Sequence, residues 1–308
     1  SEKFHLENSN GLNYENPATY ISGMINADSG SQNELISGIG QESCRTLDAF
    51  IPEKIGMQAA EMCLGSDNPK NCESDEYEII FEPYSVGELL SFVVTSNFSQ
   101  KIFSEKKSCF SNYLGKKIAT EKLSLSDDPH APEGVGSKAV DDEGIDTKIN
   151  PLIEEGVFKN TFSNLYDGFK TGKESTGNGL RIGSPMGRDA EPIPVSAPNN
   201  LKIKNGDFSQ EELIKETKHG ILVGRLWYTY AVNPIKGDFS CTARSGIRII
   251  ENGEIVAAGK PVRIVHSLPT LLQNITGIAN NAKNVLQWAS LPSITPSIRS
   301  EKIRVNPI

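Results

Sequence analysis

The spacing of apolar residues changes along the chain, and each change marks an element. Up to about residue 45, hydrophobic residues are sparse and alternate with polar ones, as in Tyr20-Ile21-Ser22-Gly23-Met24-Ile25. Gly11, Gly23, Gly30, Gly38 and Gly40 break these runs. A period of two places neighbouring side chains on opposite faces of a strand, so the stretch predicts a meander of strands and turns. The period then becomes helical. Pro52 suits a first helical turn, Ile55, Ala59 and Met62 recur at helical spacing with Ala60 and Cys63 beside them, and Gly65 closes the segment. A helix from Pro52 to Leu64 with one buried face is expected.

Polar residues from Ser66 to Glu76 form a linker, the best boundary between a strand-and-helix segment, 1–76, and a larger domain, 77–308. A strand is expected at Tyr77–Phe81. Ser85 followed by Glu88 reads as a capping box opening a helix to about Asn97, and Ser209 with Glu212 as another, ending at Gly220. Strand patterns follow at Ile221–Val223, Leu226–Tyr228, Ile247–Ile250, Ile255–Val256 and Val262–Val265. Asn252-Gly253, between two of them, is a strong hairpin signal, because a type I′ turn needs positive φ at both central residues. Leu268, Leu271, Leu272, Ile275 and Ile278 predict a last amphipathic helix. The stretches 125–150 and 171–200 read as long loops, a length usual for functional or disordered segments. The resulting class is α+β, with mainly antiparallel sheets and several amphipathic helices.

Composition narrows the function classes. A chain of 308 residues can bury a substantial core. No apolar run approaches the roughly 18–20 residues of a membrane helix, and the longest, Val86 to Val94, is interrupted by Gly87, Glu88 and Ser91. Nothing near the start resembles a secretory signal, and the first residue is Ser1 rather than Met, which suits a processed or truncated product. A soluble cytoplasmic protein is expected. The net charge of −8 argues against nucleic acid as a partner. Lys101, Lys106, Lys107, Lys116 and Lys117 do cluster, but Glu105 and Glu121 interleave with them, as on a solvated face. Five cysteines, an odd number with no Cys-x-x-Cys pair, read as reduced thiols, a Cys63–Cys72 disulfide being the alternative.

The residues themselves offer little catalytic chemistry. A helix-borne zinc site needs imidazoles on one face, a further ligand and a carboxylate to activate water. His5, His130, His219 and His266 are all too far apart in sequence to build one. His219 reads as a cap at a helix C-terminus and His130 as an exposed loop residue. Asp141, Asp142 and Glu143 could gather a hard cation such as calcium or magnesium through oxygen; the alternative is a solvated loop in which Asp142 caps a turn. Ser240 and Cys241 are nucleophile types without a nearby base in sequence.

Four short motifs carry more. Asp141-Asp142-Glu143-Gly144, Ser175-Thr176-Gly177-Asn178, Gly237-Asp238-Phe239-Ser240 and Glu251-Asn252-Gly253-Glu254-Ile255 occur in this order, with Pro198-Asn199-Asn200-Leu201 between the second and third. Together they resemble the C-terminal part of the TldD/PmbA family, also labelled modulators of DNA gyrase, which works as metallopeptidase assemblies. The zinc-bearing half of that family carries His-Glu-x-x-x-His on a helix, with a Cys-Gly near its C-terminal end. The matching stretch here runs from Val86 to Ser96, with Ser91-Phe92 in place of His-Glu and Ser96 in place of the second His. No Cys occurs from Asn284 to Ile308. The chain therefore resembles the PmbA/TldE-type half, without the family's usual N-terminal domain.

That resemblance implies a chain without metal or catalytic residues of its own. Zinc is expected in a TldD-type partner subunit, or else the chain pairs with itself as a homodimer. The implied substrate is a peptide or unfolded segment, with neither nucleic acid nor membrane involved. Ser175, Thr176, Gly177, Asn178, Gly237, Asp238, Phe239 and Ser240 are the expected peptide- or partner-facing groups. Two other readings stay open: an independent hydrolase using a cation on Asp141, Asp142 and Glu143, and a homodimeric scaffold without catalysis.

Overall fold

The computed structural model of the chain describes residues 1–30, 36–183, 188–287 and 291–308; part of the expected loop 171–200, residues 184–187, lies outside them. The strands expected before residue 45 are present, but as two separate two-stranded sheets rather than one meander. Glu2–Glu7 pairs with Asn13–Ala18, and Ile21–Ser29 with Ile36–Cys44, each antiparallel. The helix Pro52–Leu64 lies across the second hairpin, as predicted. Its buried face is Ile55, Ala59 and Cys63, whereas Ala60, placed beside that face by the sequence pattern, is exposed.

Gly38 and Gly40 let this helix come close. A Cβ at Gly38 would overlap the carbonyl oxygen of Ala59, and one at Gly40 that of Ile55. Backbone cannot swing aside as a flexible side chain can, so overpacking here forces the helix off the strand. Gly40→Ala is expected to lower the unfolding free energy by about 2 kcal/mol, read from urea denaturation midpoints. A midpoint unchanged from the parent chain would show that the helix gives way freely.

Two sheets enclose the main core. The larger runs, in spatial order, Arg225–Asn233, Asp238–Ser245, Val262–Ser267, Ile298–Pro307, Glu76–Phe81, His219–Val223, Arg248–Glu251 and Glu254–Ala258, with Ile275–Ile278 added beside Ile298–Pro307. All its pairings are antiparallel except that of Glu76–Phe81 with His219–Val223. The smaller runs Lys283–Leu286, Pro292–Thr295, Leu201–Ile203, Leu125–Asp127, Asn150–Glu154 and Val157–Phe158. Phe81 and Phe239 from the first sheet and Leu125, Leu152 and Phe158 from the second belong to one buried cluster. Phe98, Phe103 and Phe110 surround Phe158 with centroid distances of 5.2, 5.7 and 6.4 Å, each tilted toward edge-to-face. The class is therefore α+β with mainly antiparallel sheets, as the sequence predicts.

Helix ends depart from the sequence pattern in three places, each for a tertiary reason. Ser85 does not cap. The helix spans Pro83–Leu89 with Glu82 at its N-cap position, while the Ser85 hydroxyl donates to the carbonyls of Glu82 and Val223. Ser209 and Glu212 do form a capping box, at 3.1 and 2.7 Å, but their helix, Gln210–Glu216, stops short of Gly220. Residues His219–Val223 are taken by strand pairing on both sides, which places His219 in a sheet rather than at a helix end. The last helix is only Leu268–Gln273, and Ile275–Ile278 leaves it to pair with Ile298–Pro307. The hairpin turn at Asn252-Gly253 forms as expected, with φ of 51° and 85°. All five cysteines are free thiols, so Cys63 and Cys72 are not bridged. No helix among the described residues is long and apolar enough to cross a membrane.

Candidate functional site

The helix Pro83–Leu89 is buried at every residue because it threads between the two sheets. It continues into a π-helical turn, Leu90–Val94, and then a 3₁₀ turn, Thr95–Phe98. Thr95 donates its hydroxyl to the Leu90 carbonyl and Asn97 its amide to the Val93 carbonyl, so side chains occupy acceptors that a regular helix would use. Such π turns inside helices are frequent at functional sites. Here the π turn holds Ser91 and Phe92 and the 3₁₀ turn Ser96, the positions that the family resemblance aligns with a zinc motif. Ser91 is half-buried and donates to Gln287 Oε1 at 2.7 Å, while Phe92 and Ser96 are exposed.

Among the described residues, the four histidines are engaged elsewhere. His5 bonds Asn13, His130 bonds Thr147, His219 bonds Glu251 and stacks on Tyr77, and His266 meets the edge of Phe239. Among the described residues, no group of three His, Cys, Asp or Glu side chains could hold a metal ion. Cys241 is fully buried, and desolvation pushes its thiol far above the ordinary cysteine range, away from nucleophilic use.

One residue of the helix carries unusual electrostatics. Glu88 is 4% exposed, and its Oε2 accepts from the backbone N–H of Leu226 at 2.6 Å. Burial raises its pKa to about 8, opposed by that hydrogen bond and by the positive charge of Arg225. Glu88 thus ties the helix to the start of the strand Arg225–Asn233. Arg225 is itself buried, with Nε and Nη2 lacking partners among the described residues, and its guanidinium lies 4.4 Å from the Trp227 ring centroid.

The strand Arg225–Asn233 ends the larger sheet, pairing on one side only among the described strands. A bulge falls between Trp227 and Tyr230, where Tyr228 takes a φ of 47°, an outlier for a bulky residue. Tyr228, Tyr230 and Val232 are exposed there. The sequence pattern marks only Leu226–Tyr228 as strand and leaves Tyr230 and Val232 unassigned. The aromatic run Trp227-Tyr228-Thr229-Tyr230 was the available signal, but only topology makes it an edge.

The eight residues expected to face a peptide or partner turn mostly inward. Phe239 and Ser240 are buried with their strand, Gly237 closes the preceding turn at a φ of 80°, and Asp238 is half-buried. Ser175, Gly177 and Asn178 are buried, and Thr176 is half-buried and bonds Asn178 and the Ser163 carbonyl. Asn178 donates to Asp127, a carboxylate to which the sequence reading assigns no site role. Asp127 also accepts from Asn199 N, Asn199 Nδ2 and Asn200 N, giving four bonds between 2.6 and 2.9 Å.

The acidic run is likewise engaged within the chain. Asp141 accepts from the backbone of Glu143, Ile145 and Gly179, so Asp141, not Asp142, is the residue that holds the turn. Asp142 accepts from Arg181 N and pairs with Arg188 at 2.8 Å and Lys138 at 3.5 Å. Glu143 accepts from Leu165 N. Arg188 reaches on to Glu2 and lies over Phe4, locking the first hairpin onto this loop.

Residues 74–307 match the PmbA/TldA metallopeptidase C-terminal domain. The chain is similar to TldE from Thermococcus kodakarensis, with a TM-score of 0.89 and 26% identity, over 98% of this chain and 66% of that one. It is similar to a candidate modulator of a DNA gyrase from Thermotoga maritima, with a TM-score of 0.82 and 28% identity, again over 98% and 66%. The metalloprotease PmbA of Escherichia coli O157:H7 is 26% identical over 76% of this chain and 48% of its own length. The chain thus spans about half the length of the curated relatives it matches. By the extent of that domain, the chain belongs to the PmbA/TldD family.

Proposed function

We propose that this chain is the metal-free, PmbA/TldE-type subunit of a two-component zinc metallopeptidase acting on peptides or unfolded segments. The observation that carries the reading is the helix Pro83–Leu89 with its π turn. By the family resemblance this is the element that bears His-Glu-x-x-x-His in the metal-binding half, with Ser91, Phe92 and Ser96 at the ligand positions, and here Ser91 is engaged by Gln287. A serine hydroxyl, a phenyl ring and a second hydroxyl offer zinc none of its usual nitrogen or thiolate ligands. Zinc bound by a TldD-type partner would supply the activated water. In this reading residues 1–76 are a strand-and-helix segment and residues 77–308 the PmbA/TldD-like C-terminal domain.

The contribution of this subunit is to hold substrate. An extended peptide can add to the free edge of Arg225–Asn233 through main-chain hydrogen bonds, with Tyr228, Tyr230 and Val232 gripping alternate side chains. Main-chain recognition is indifferent to sequence, which suits unfolded segments.

Hydrolysis of an unstructured reporter peptide tests this, using the chain alone, the His-Glu-x-x-x-His protein of the same source alone, and the mixture, each with and without chelator. Turnover is expected in the mixture, at least about tenfold above either chain alone and abolished by chelator. Chelator-sensitive turnover by this chain alone would overturn the metal-free assignment. A mixture no faster than the partner alone would overturn the subunit assignment.

A further inference from the structure

A cleft of about 350 Å³ lies between the helix Pro52–Leu64 with its underlying strand and the turn that enters the helix Pro83–Leu89. Ile39, Met62 and Tyr84 give it an apolar wall that belongs to one small hydrophobic cluster. Around that wall stand charges of both signs. Glu82 spends one carboxylate oxygen on Gln210 Nε2 at 3.0 Å. Among the described residues, Lys283 takes part in no ion pair within 4 Å. Its ammonium feels the negative charges of Glu82 and Glu42, and burial still pushes its pKa below the usual lysine range. Gln41 is 3% exposed, donates to Ser43, and leaves its own Oε1 without any partner among the described residues.

We propose that this cleft binds a small zwitterion with an apolar side chain, a free amino acid or dipeptide. Its carboxylate meets Lys283, its ammonium meets Glu82, and its side chain lies on Ile39, Met62 and Tyr84. Lys283 and Glu82 face one cavity but are too far apart to pair directly, so a ligand carrying both charges satisfies both at once. The orphaned Gln41 carbonyl supplies an acceptor for a ligand N–H, which an unpaired buried acceptor strongly favours. Two cations, Lys283 and Arg248, and two acids, Glu61 and Glu82, line the same space, a balance that suits a zwitterion better than a polyanion such as a nucleotide. The volume is at the low end for ligand pockets, roughly 300–1,000 Å³, as a one- or two-residue ligand requires. The inference stands apart from the subunit role, since it uses neither the edge strand nor a partner.

Calorimetric titration of the full chain with L-leucine, glycyl-L-leucine, N-acetyl-L-leucine and L-leucinamide tests it. At least one zwitterion is expected to bind saturably with a Kd below about 1 mM. Each capped form, lacking one charge, is expected to bind about tenfold or more weakly. Lys283→Met and Gln41→Leu should weaken the zwitterion similarly. The proposal is overturned if neither zwitterion binds in that range, or if the capped forms bind as tightly; both readings come from the unaltered chain, so a misfolded variant cannot obscure them.

Discussion

Asp127→Ala is expected to lower the unfolding free energy by about 3–5 kcal/mol, a severe loss for a single residue. The carboxylate is fully buried and accepts four hydrogen bonds, two on each oxygen. Burial alone pushes its pKa up, and the four donors pull it back. Alanine leaves those donors without an acceptor and out of reach of water, and each such group costs about 1–3 kcal/mol. The damage also spreads by topology. Asn178 sits at the end of the Ser175–Asn178 turn, and Asn199 and Asn200 lead into the strand Leu201–Ile203, which pairs with the strand of Asp127 itself. Asn200 meanwhile accepts from Gly136 N and donates to the Asp128 carbonyl. One carboxylate therefore gathers three separated loop segments. Guanidinium unfolding of the parent, Asp127→Asn and Asp127→Ala chains tests the account. Asparagine, keeping one acceptor oxygen, should fall between the others. A loss below about 1 kcal/mol for alanine would show that the loops hold themselves.

That network explains what sequence could and could not reveal. Elements governed by nearest neighbours were legible: the helix Pro52–Leu64 from its spacing and Pro52, the Ser209–Glu212 capping box, and the Asn252-Gly253 turn. Errors arose where a distant strand competed. Ile275 and Ile278 satisfy a helical pattern, yet the unpaired backbone of Ile298–Pro307 captures them as a strand. Ser85 and Glu88 satisfy a capping spacing, yet the Val223 carbonyl and the Leu226 N–H take their side chains. The motif residues Ser175–Asn178 and Gly237–Ser240 were visible as a pattern, but pattern does not tell an inward turn from an outward one. Asp127 needed donors from positions 178, 199 and 200 before its role could appear. The edge strand is the same kind of case, since an edge is defined by which neighbour is absent.

Glu88 should make stability fall as pH rises, opposite to the usual behaviour of a salt-bridged carboxylate. In the unfolded chain its pKa is near the ordinary glutamate value of 4.5, and in the folded chain burial raises it to about 8. Between those values the unfolded state releases a proton that the folded state retains. The folded state then binds more protons, so unfolding becomes easier with each unit of pH across that window, and the effect levels off above pH 8. The full interval corresponds to an upper bound of about 5 kcal/mol, and relaxation around the site brings the expected loss to about 3 kcal/mol. Glu88→Gln keeps an oxygen for the Leu226 N–H and cannot ionise, so it isolates this one titration from all others. Urea midpoints of both chains at pH 5, 7 and 9 are expected to converge at the acid end and diverge at the alkaline end, with the glutamine variant the more stable. A constant difference across the three would mean that Glu88 stays ionised in the fold, paired through space with Arg225.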